Sequence, residues 1–261
     1  MTRHCVFVGA VALVAVAWAG IDSAGAQSID ETPTPRTFVL VPGAWLGSWA
    51  FEDVTSILRD NGHRVFPVTL SGLADRSHLD SAQVTLNTHI EDIVNVIRFN
   101  ELDNVVLVGH SYGGMAITGA ADRISDRIDA LIYLDALVPS DGQAAIDLMD
   151  NEFADAINSA QEAGEDSIEF LVPVPLPPEI RWRFAPQPIK SFIEPIRLTG
   201  ASGEIPSKTY VRATGPGPDF THIVSGLESK SDWRIVELDA EHNMMIDAPV
   251  ETAALLEQFA R

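Results

Sequence analysis

Gly109-His110-Ser111-Tyr112-Gly113 follows the apolar run Val105-Val106-Leu107-Val108 and precedes Gly114-Met115-Ala116-Ile117. The order predicts a strand, a sharp turn and a helix, with a serine at the turn. Glycines on both sides suit such an elbow, because the turn is tight and the following helix passes close to it. A serine held there projects its hydroxyl from the sheet edge, and the next backbone N–H, that of Tyr112, is free to face an anion. Three fixed positions alone recur in ordinary Gly/Ser-rich loops. The strand before and the helix after make Ser111 a candidate nucleophile.

Working outward, strands and helices alternate. Thr37–Val41 reads as a buried strand, Trp45 to Asn61 as a helix stopped by Gly62, and His63 to Leu70 as a second strand. Leu86 to Phe99 repeats Ile90, Ile93, Val94 and Ile97 at helical spacing. Asn104 to Val108 is the strand of the elbow, with the helix Tyr112 to Ile124 behind it. Ala130 to Leu134, Lys208 to Ala213 and Trp233 to Leu238 read as further strands, and Pro249 to Phe259 as a closing helix. Uninterrupted apolar strands alternating with helices predict an α/β domain, a mostly parallel sheet covered on both faces. Between Pro139 and Ser207 the alternation stops, and Val172-Pro173-Val174-Pro175-Leu176-Pro177-Pro178 lies within it. That stretch exceeds an ordinary connection and is expected to form a helical cap with stiff joints.

Arg3 and His4, the apolar run Cys5 to Ala19 and the small residues Ala24-Gly25-Ala26 predict a secretory signal peptide over residues 1–26. Residues 27–36 read as a linker. Cleavage ahead of Gln27 would remove Cys5, the only cysteine, and with it any disulfide or thiolate chemistry. Export to a periplasm or the medium is the expected localisation. The formal net charge of −20 disfavours nucleic acid and anionic membrane surfaces as partners. No membrane association is expected after cleavage, and a homodimer stays open. No phosphate loop and no metal-ligand spacing stands out, so no cofactor is expected.

A serine hydroxyl needs a base, and the base an orienting acid. His4, His63, His78, His89 and His110 precede or abut Ser111, which leaves His222 and His242 for a chain order of serine, acid, histidine. His242 follows the strand Trp233 to Leu238, at the edge where the elbow lies, and is preferred. His222 sits at a helix start and reads as a surface residue. Two carboxylates compete for the acid. Asp135 directly ends the strand Leu131–Leu134 and is favoured. Asp219 comes after Gly215-Pro216-Gly217-Pro218 and could equally cap the helix starting at Thr221. Asp239 and Asp247 read as solvated or capping. The loop Val41-Pro42-Gly43-Ala44-Trp45 should supply a second oxyanion donor, so Ala44 N–H and Tyr112 N–H form the expected pair. Met244, Met245, Trp45 and Trp49 read either as pocket lining or as core.

These residues resemble the α/β-hydrolase superfamily over nearly all of the mature chain. The likeness is greatest to the branch of plant methylesterases, hydroxynitrile lyases and small bacterial esterases. Phe38 to Trp49 is similar to that branch's first-strand signature, with Pro42-Gly43 where His-Gly is usual. Thr69 to Leu79 and Tyr133-Leu134-Asp135-Ala136 are similar to its bacterial members. The resemblance implies an eight-stranded sheet lacking its first two strands here, with a cap after the sixth. It also implies an acid soon after the seventh strand, where Pro216 stands. Haloalkane dehalogenases with a glutamate after the sixth strand place their acid where Asp135 lies.

Asn243 and Gly43 stand where hydroxynitrile lyases have lysine and threonine, and Ser111 where dehalogenases need aspartate, which argues against both chemistries. The expected activity is cofactor-free hydrolysis of a small carboxylic ester through an acyl-enzyme. Lactone or amide cleavage, lyase or oxygenase chemistry on the same residues, and a ligand-binding receptor are the rivals.

Overall fold

A computed structural model describes residues 34–169 and 178–260. The N-terminal segment read as a signal peptide, most of the linker, and the proline run up to Pro177 lie outside the described residues. The elements are β1 (Thr37–Val41), α1 (Glu52–Asp60), β2 (Arg64–Pro67), α2 (Leu86–Phe99), β3 (Val105–His110), α3 (Gly113–Arg123) and β4 (Ile128–Leu134). After β4 come α4 (Asn151–Glu162), β5 (Ser167–Ile168), α5 (Pro178–Arg181), β6 (Gln187–Pro188) and α6 (Ile189–Ile193). The chain then returns through β7 (Ser207–Ala213), α7 (Thr221–Glu228), β8 (Trp233–Leu238), α8 (Met244–Asp247) and α9 (Pro249–Phe259).

Six strands form one sheet in the order β2-β1-β3-β4-β7-β8, and every pairing in it is parallel. The period-two alternation of each strand divides its side chains between two cores. Val39, Val41, Leu107, Leu131 and Tyr133 face α2 and α3 together with α7. Phe38, Leu40, Val106, Val108, Ile132 and Leu134 face α1, α8 and α9. Both faces are covered, which is why these strands read as unbroken apolar runs. Met244 and Met245 are fully buried in the second core, so they are packing residues rather than pocket lining.

Several strands and helices shift by one or two residues from their expected bounds, and two elements differ by more. The helix expected from Trp45 begins only at Ser48, with a 3-10 turn running into α1. Trp45 has φ +62°, and its N–H and C=O bond to Gln187 and Ala185, so it cannot join a right-handed helix. The second strand is trimmed to Arg64–Pro67, although Val68 N–H still reaches Leu40 O before the chain leaves the sheet edge.

Between β4 and β7 the described chain forms α4, the antiparallel β5–β6 pair, α5 and α6. Its exit is pinned by Asp122 on α3, which accepts from Thr199 N, Thr199 Oγ1, Gly200 N and Ser202 N at 2.6–3.1 Å. Burial opposes the charge of Asp122, but these donors outweigh it and hold its pKa below the ordinary carboxylate value.

Candidate active site

The candidate residues lie in loops at the carboxyl edge of the sheet, where parallel strands deliver their following loops together. Ser111 leaves β3 with φ +52° and Asp135 leaves β4 with φ +42°, both in the left-handed region. Non-glycine residues held there cost on the order of 1–3 kcal/mol each and concentrate at functional sites. Ser111 N–H donates to Leu134 O, and Leu137 N–H donates to Ser111 O, so the elbow is bonded on both sides of Asp135. The elbow helix also sits hard against the first loop. A Cβ added at Gly113 would lie 2.7 Å from Pro42 O and 2.8 Å from Val41 O. In the same way Gly43 brings its backbone against the elbow, since a Cβ there would approach Ser111 Cβ to 2.8 Å.

His242 reaches this edge from the loop after β8. Its Nδ1–H donates to Asp135 Oδ2 at 2.7 Å. Asp135 is nearly fully buried, and its own N–H is tied to Val211 O at 2.7 Å. With Nδ1 so occupied, Nε2 is the nitrogen of His242 left to exchange a proton. The loop Gly215 to Pro218 holds the histidine from behind through His242 N–H to Pro216 O at 3.0 Å. Phe220 packs edge-on to the imidazole at 5.9 Å between centroids.

His110, the residue before the serine, is a contact that sequence reasoning missed. Its Nε2–H donates to the backbone oxygen of His242 at 2.9 Å, and the two rings lie 4.6 Å apart. Burial, then the nearby His242, holds the His110 pKa well below the ordinary value, so it stays a neutral donor. Its Nδ1 is buried with no partner among the described residues. The only sequence signal was its place inside the elbow.

The rival acid has a different job. Asp219 is exposed and accepts from Thr221 N–H at 2.9 Å, capping α7. His222 is exposed on the same helix. Asp247 accepts from Glu241 N–H at 2.8 Å, closing the loop that carries His242. A cavity of about 300 Å³ borders Asp135, Arg212, Asp219, Phe220 and Glu237 but touches neither Ser111 nor His242, so it is not where an ester would meet the serine.

Ala44 and Tyr112 are buried beside the elbow, and neither backbone N–H meets an acceptor among the described residues. The Tyr112 phenol is set apart from this. It donates to His89 Nδ1 at 2.8 Å, while His89 Nε2–H donates to Ser71 O at 2.9 Å. Burial lowers the His89 pKa to about 4, so this imidazole is neutral and its two bonds fix one tautomer. Burial likewise raises the Tyr112 phenol well above its ordinary value.

A model of the alpha/beta hydrolase family matches residues 38–255. A carbendazim-hydrolysing esterase from Nocardioides sp. (strain SG-4G) is 38% identical over 236 residues, covering 84% of this chain and 97% of that protein. Methylesterase 8 of Arabidopsis thaliana is 34% identical over 112 residues, 42% of this chain and 40% of its own. Among solved structures, an extracellular α/β-hydrolase from a Paenibacillus species superposes with a TM-score of 0.75 at 25% identity, covering 87% of this chain and all of that one. That protein is described as sharing structural and functional homology with tobacco salicylic acid binding protein 2. The chain belongs to the α/β hydrolase family.

Proposed function

We propose that the protein is a serine esterase in which Ser111, His242 and Asp135 form the catalytic triad. Its activity is hydrolysis of carboxylic esters, in keeping with its esterase relatives. The observation that carries the triad is the 2.7 Å bond between His242 Nδ1 and Asp135 Oδ2, made beside a serine elbow at positive φ. Ser111 Oγ attacks the ester carbonyl while His242 Nε2 takes its proton. Asp135 keeps the proton on Nδ1 and stabilises the imidazolium. The oxygen that becomes negative is met by the Ala44 and Tyr112 amides, each worth on the order of 3 kcal/mol in such sites. His242 returns the proton to the leaving alcohol, and water, deprotonated by the same nitrogen, releases the acid.

A small ester is the proposed substrate, with no metal or organic cofactor called for. Ser111→Ala is expected to lower kcat for p-nitrophenyl acetate by on the order of 10⁵-fold or more with folding retained. Near-normal turnover by the folded variant would remove the serine from the mechanism. The N-terminal residues further support export with cleavage after Ala26. Sequencing of the exported protein should then read from Gln27, and an intact leader on it would overturn that expectation.

A further inference from the structure

The insertion between β4 and β7 bonds to the first loop. Trp45 follows Ala44, the proposed oxyanion donor, and holds φ +62°, a conformation unfavourable for a bulky residue. Among the described residues, three hydrogen bonds from the insertion keep it there. Trp45 N–H donates to Gln187 Oε1 at 2.9 Å, Trp45 Nε1–H donates to Ile168 O at 3.0 Å, and Ala185 N–H donates to Trp45 O at 3.2 Å. The indole also packs against Phe153 and Phe192 at 5.9 and 5.8 Å.

Gln187 is 0% exposed, and its amide orientation is not arbitrary. Trp45 N–H is a donor, so the oxygen must face it. The Nε2 end then donates to Ser191 Oγ at 2.8 Å, and that hydroxyl donates to Pro188 O at 2.6 Å. Phe192, the residue after Ser191, packs edge-on to the ring of Tyr112, the residue proposed as the other oxyanion donor, at 5.4 Å between centroids. Buried hydrogen bonds therefore run from the first loop into the insertion as far as Pro188, and ring packing carries the contact on to the elbow.

We propose that Gln187 is a positioning residue for ester cleavage, fixing Trp45 and through it the Ala44 amide, so that the insertion completes the oxyanion site. This rests on the triad reading above. Gln187 touches no reacting atom. Without its acceptor, the N–H of Trp45 would be buried and unpaired, and the loop would be driven to rotate toward another partner. A misplacement of about 1 Å in such a donor costs on the order of 100-fold in rate.

The test compares Gln187→Met, which keeps the volume and removes the acceptor, with Gln187→Glu, which keeps an oxygen toward Trp45. Each is measured for kcat and KM on p-nitrophenyl acetate and for inhibition by an alkyl trifluoromethyl ketone. That ketone's adduct places a negative oxygen where the two amides point. Gln187→Met is expected to lower kcat by about 10- to 100-fold with KM nearly unchanged, and to weaken the ketone by a similar factor. Gln187→Glu should recover most of both.

A loss confined to KM, or ketone affinity within about two-fold of the parent, would overturn the proposal. Should Gln187→Met fail to fold, Ser191→Ala decides, since it frees the Nε2 end, with the Pro188 oxygen, and leaves the Gln187 oxygen on Trp45. A smaller kcat loss matched by the ketone supports the role, and an unchanged kcat refutes it. Ser111→Ala separates the two levels. An active Ser111→Ala enzyme sinks the triad, whereas an inactive one beside a normal Gln187→Met enzyme sinks only this inference.

Discussion

Ser111, Asp135 and Trp45 each adopt a backbone conformation that side chains ordinarily avoid, and each stands at the carboxyl edge of the sheet. Strain of this kind persists only where surrounding contacts over-determine it. Here those contacts are named: Leu134 O and Leu137 N–H around the serine, Val211 O under the aspartate, and Gln187 above the tryptophan. The two candidate acids make the sharpest test at this scale. Asp135→Asn should remove the charge facing His242 and favour the wrong tautomer, lowering kcat by on the order of 10⁴-fold. Asp219→Asn should change little, because asparagine caps a helix about as well as aspartate. Steady-state kinetics of the two variants decide the matter, and a larger loss at position 219 would reverse the assignment. In the sequence both carboxylates follow a strand that ends at this edge. Which one meets the imidazole depends on the path of the intervening loop, and local residues do not encode that.

At the scale of elements, the elbow helix and the segment after β4 approach each other at Gly114. A Cβ there would fall 2.0 Å from Leu137 O, backbone that cannot swing aside. Gly114→Ala should therefore push α3 away from the segment carrying Asp135, costing about 3 kcal/mol or more and most of the activity. Gly226, inside α7, has nothing within 4 Å of such a Cβ, so Gly226→Ala should stabilise the helix by up to about 1 kcal/mol. Urea midpoints of the two variants should move in opposite directions, and equal shifts would contradict the packing described for α3.

Helix α2 was legible to its last residue because its apolar spacing and its Thr85 cap are local signals. The start of α1 was not. Trp49 to Asn61 carries a helical pattern that can be extended back through Trp45 on sequence alone. Hydrogen bonds from residues 185 and 187 hold Trp45 outside the helix.

For the whole molecule, His89 and His110 are buried as neutral imidazoles, and burial depresses both pKa values. Unfolding exposes them, and below about pH 6.5 the unfolded chain binds protons that the native protein refuses. Stability should therefore be fully present above pH 6.5 and fall as the pH drops toward 4, with each imidazole contributing up to about 1.4 kcal/mol per pH unit. Urea unfolding at pH 7, 6 and 5 measures the slope. His89→Gln should flatten it by about one proton, and an unchanged slope would mean that His89 is already protonated in the native state.

The parallel sheet clothed on both faces, the serine elbow and the histidine after the last strand are all legible in the chain alone. Each is written in contiguous residues or in chain order: apolar runs for strands buried on both sides, glycines where helix and strand touch, a histidine placed after the serine. Which aspartate holds His242, that His110 braces it, and that Gln187 reaches Trp45 across 142 residues emerge only in the folded molecule. Such contacts join residues that carry no periodicity and no motif. They come into existence only when the burial of two separate cores brings distant loops to one edge of the sheet, where a polar group cut off from water must find its partner.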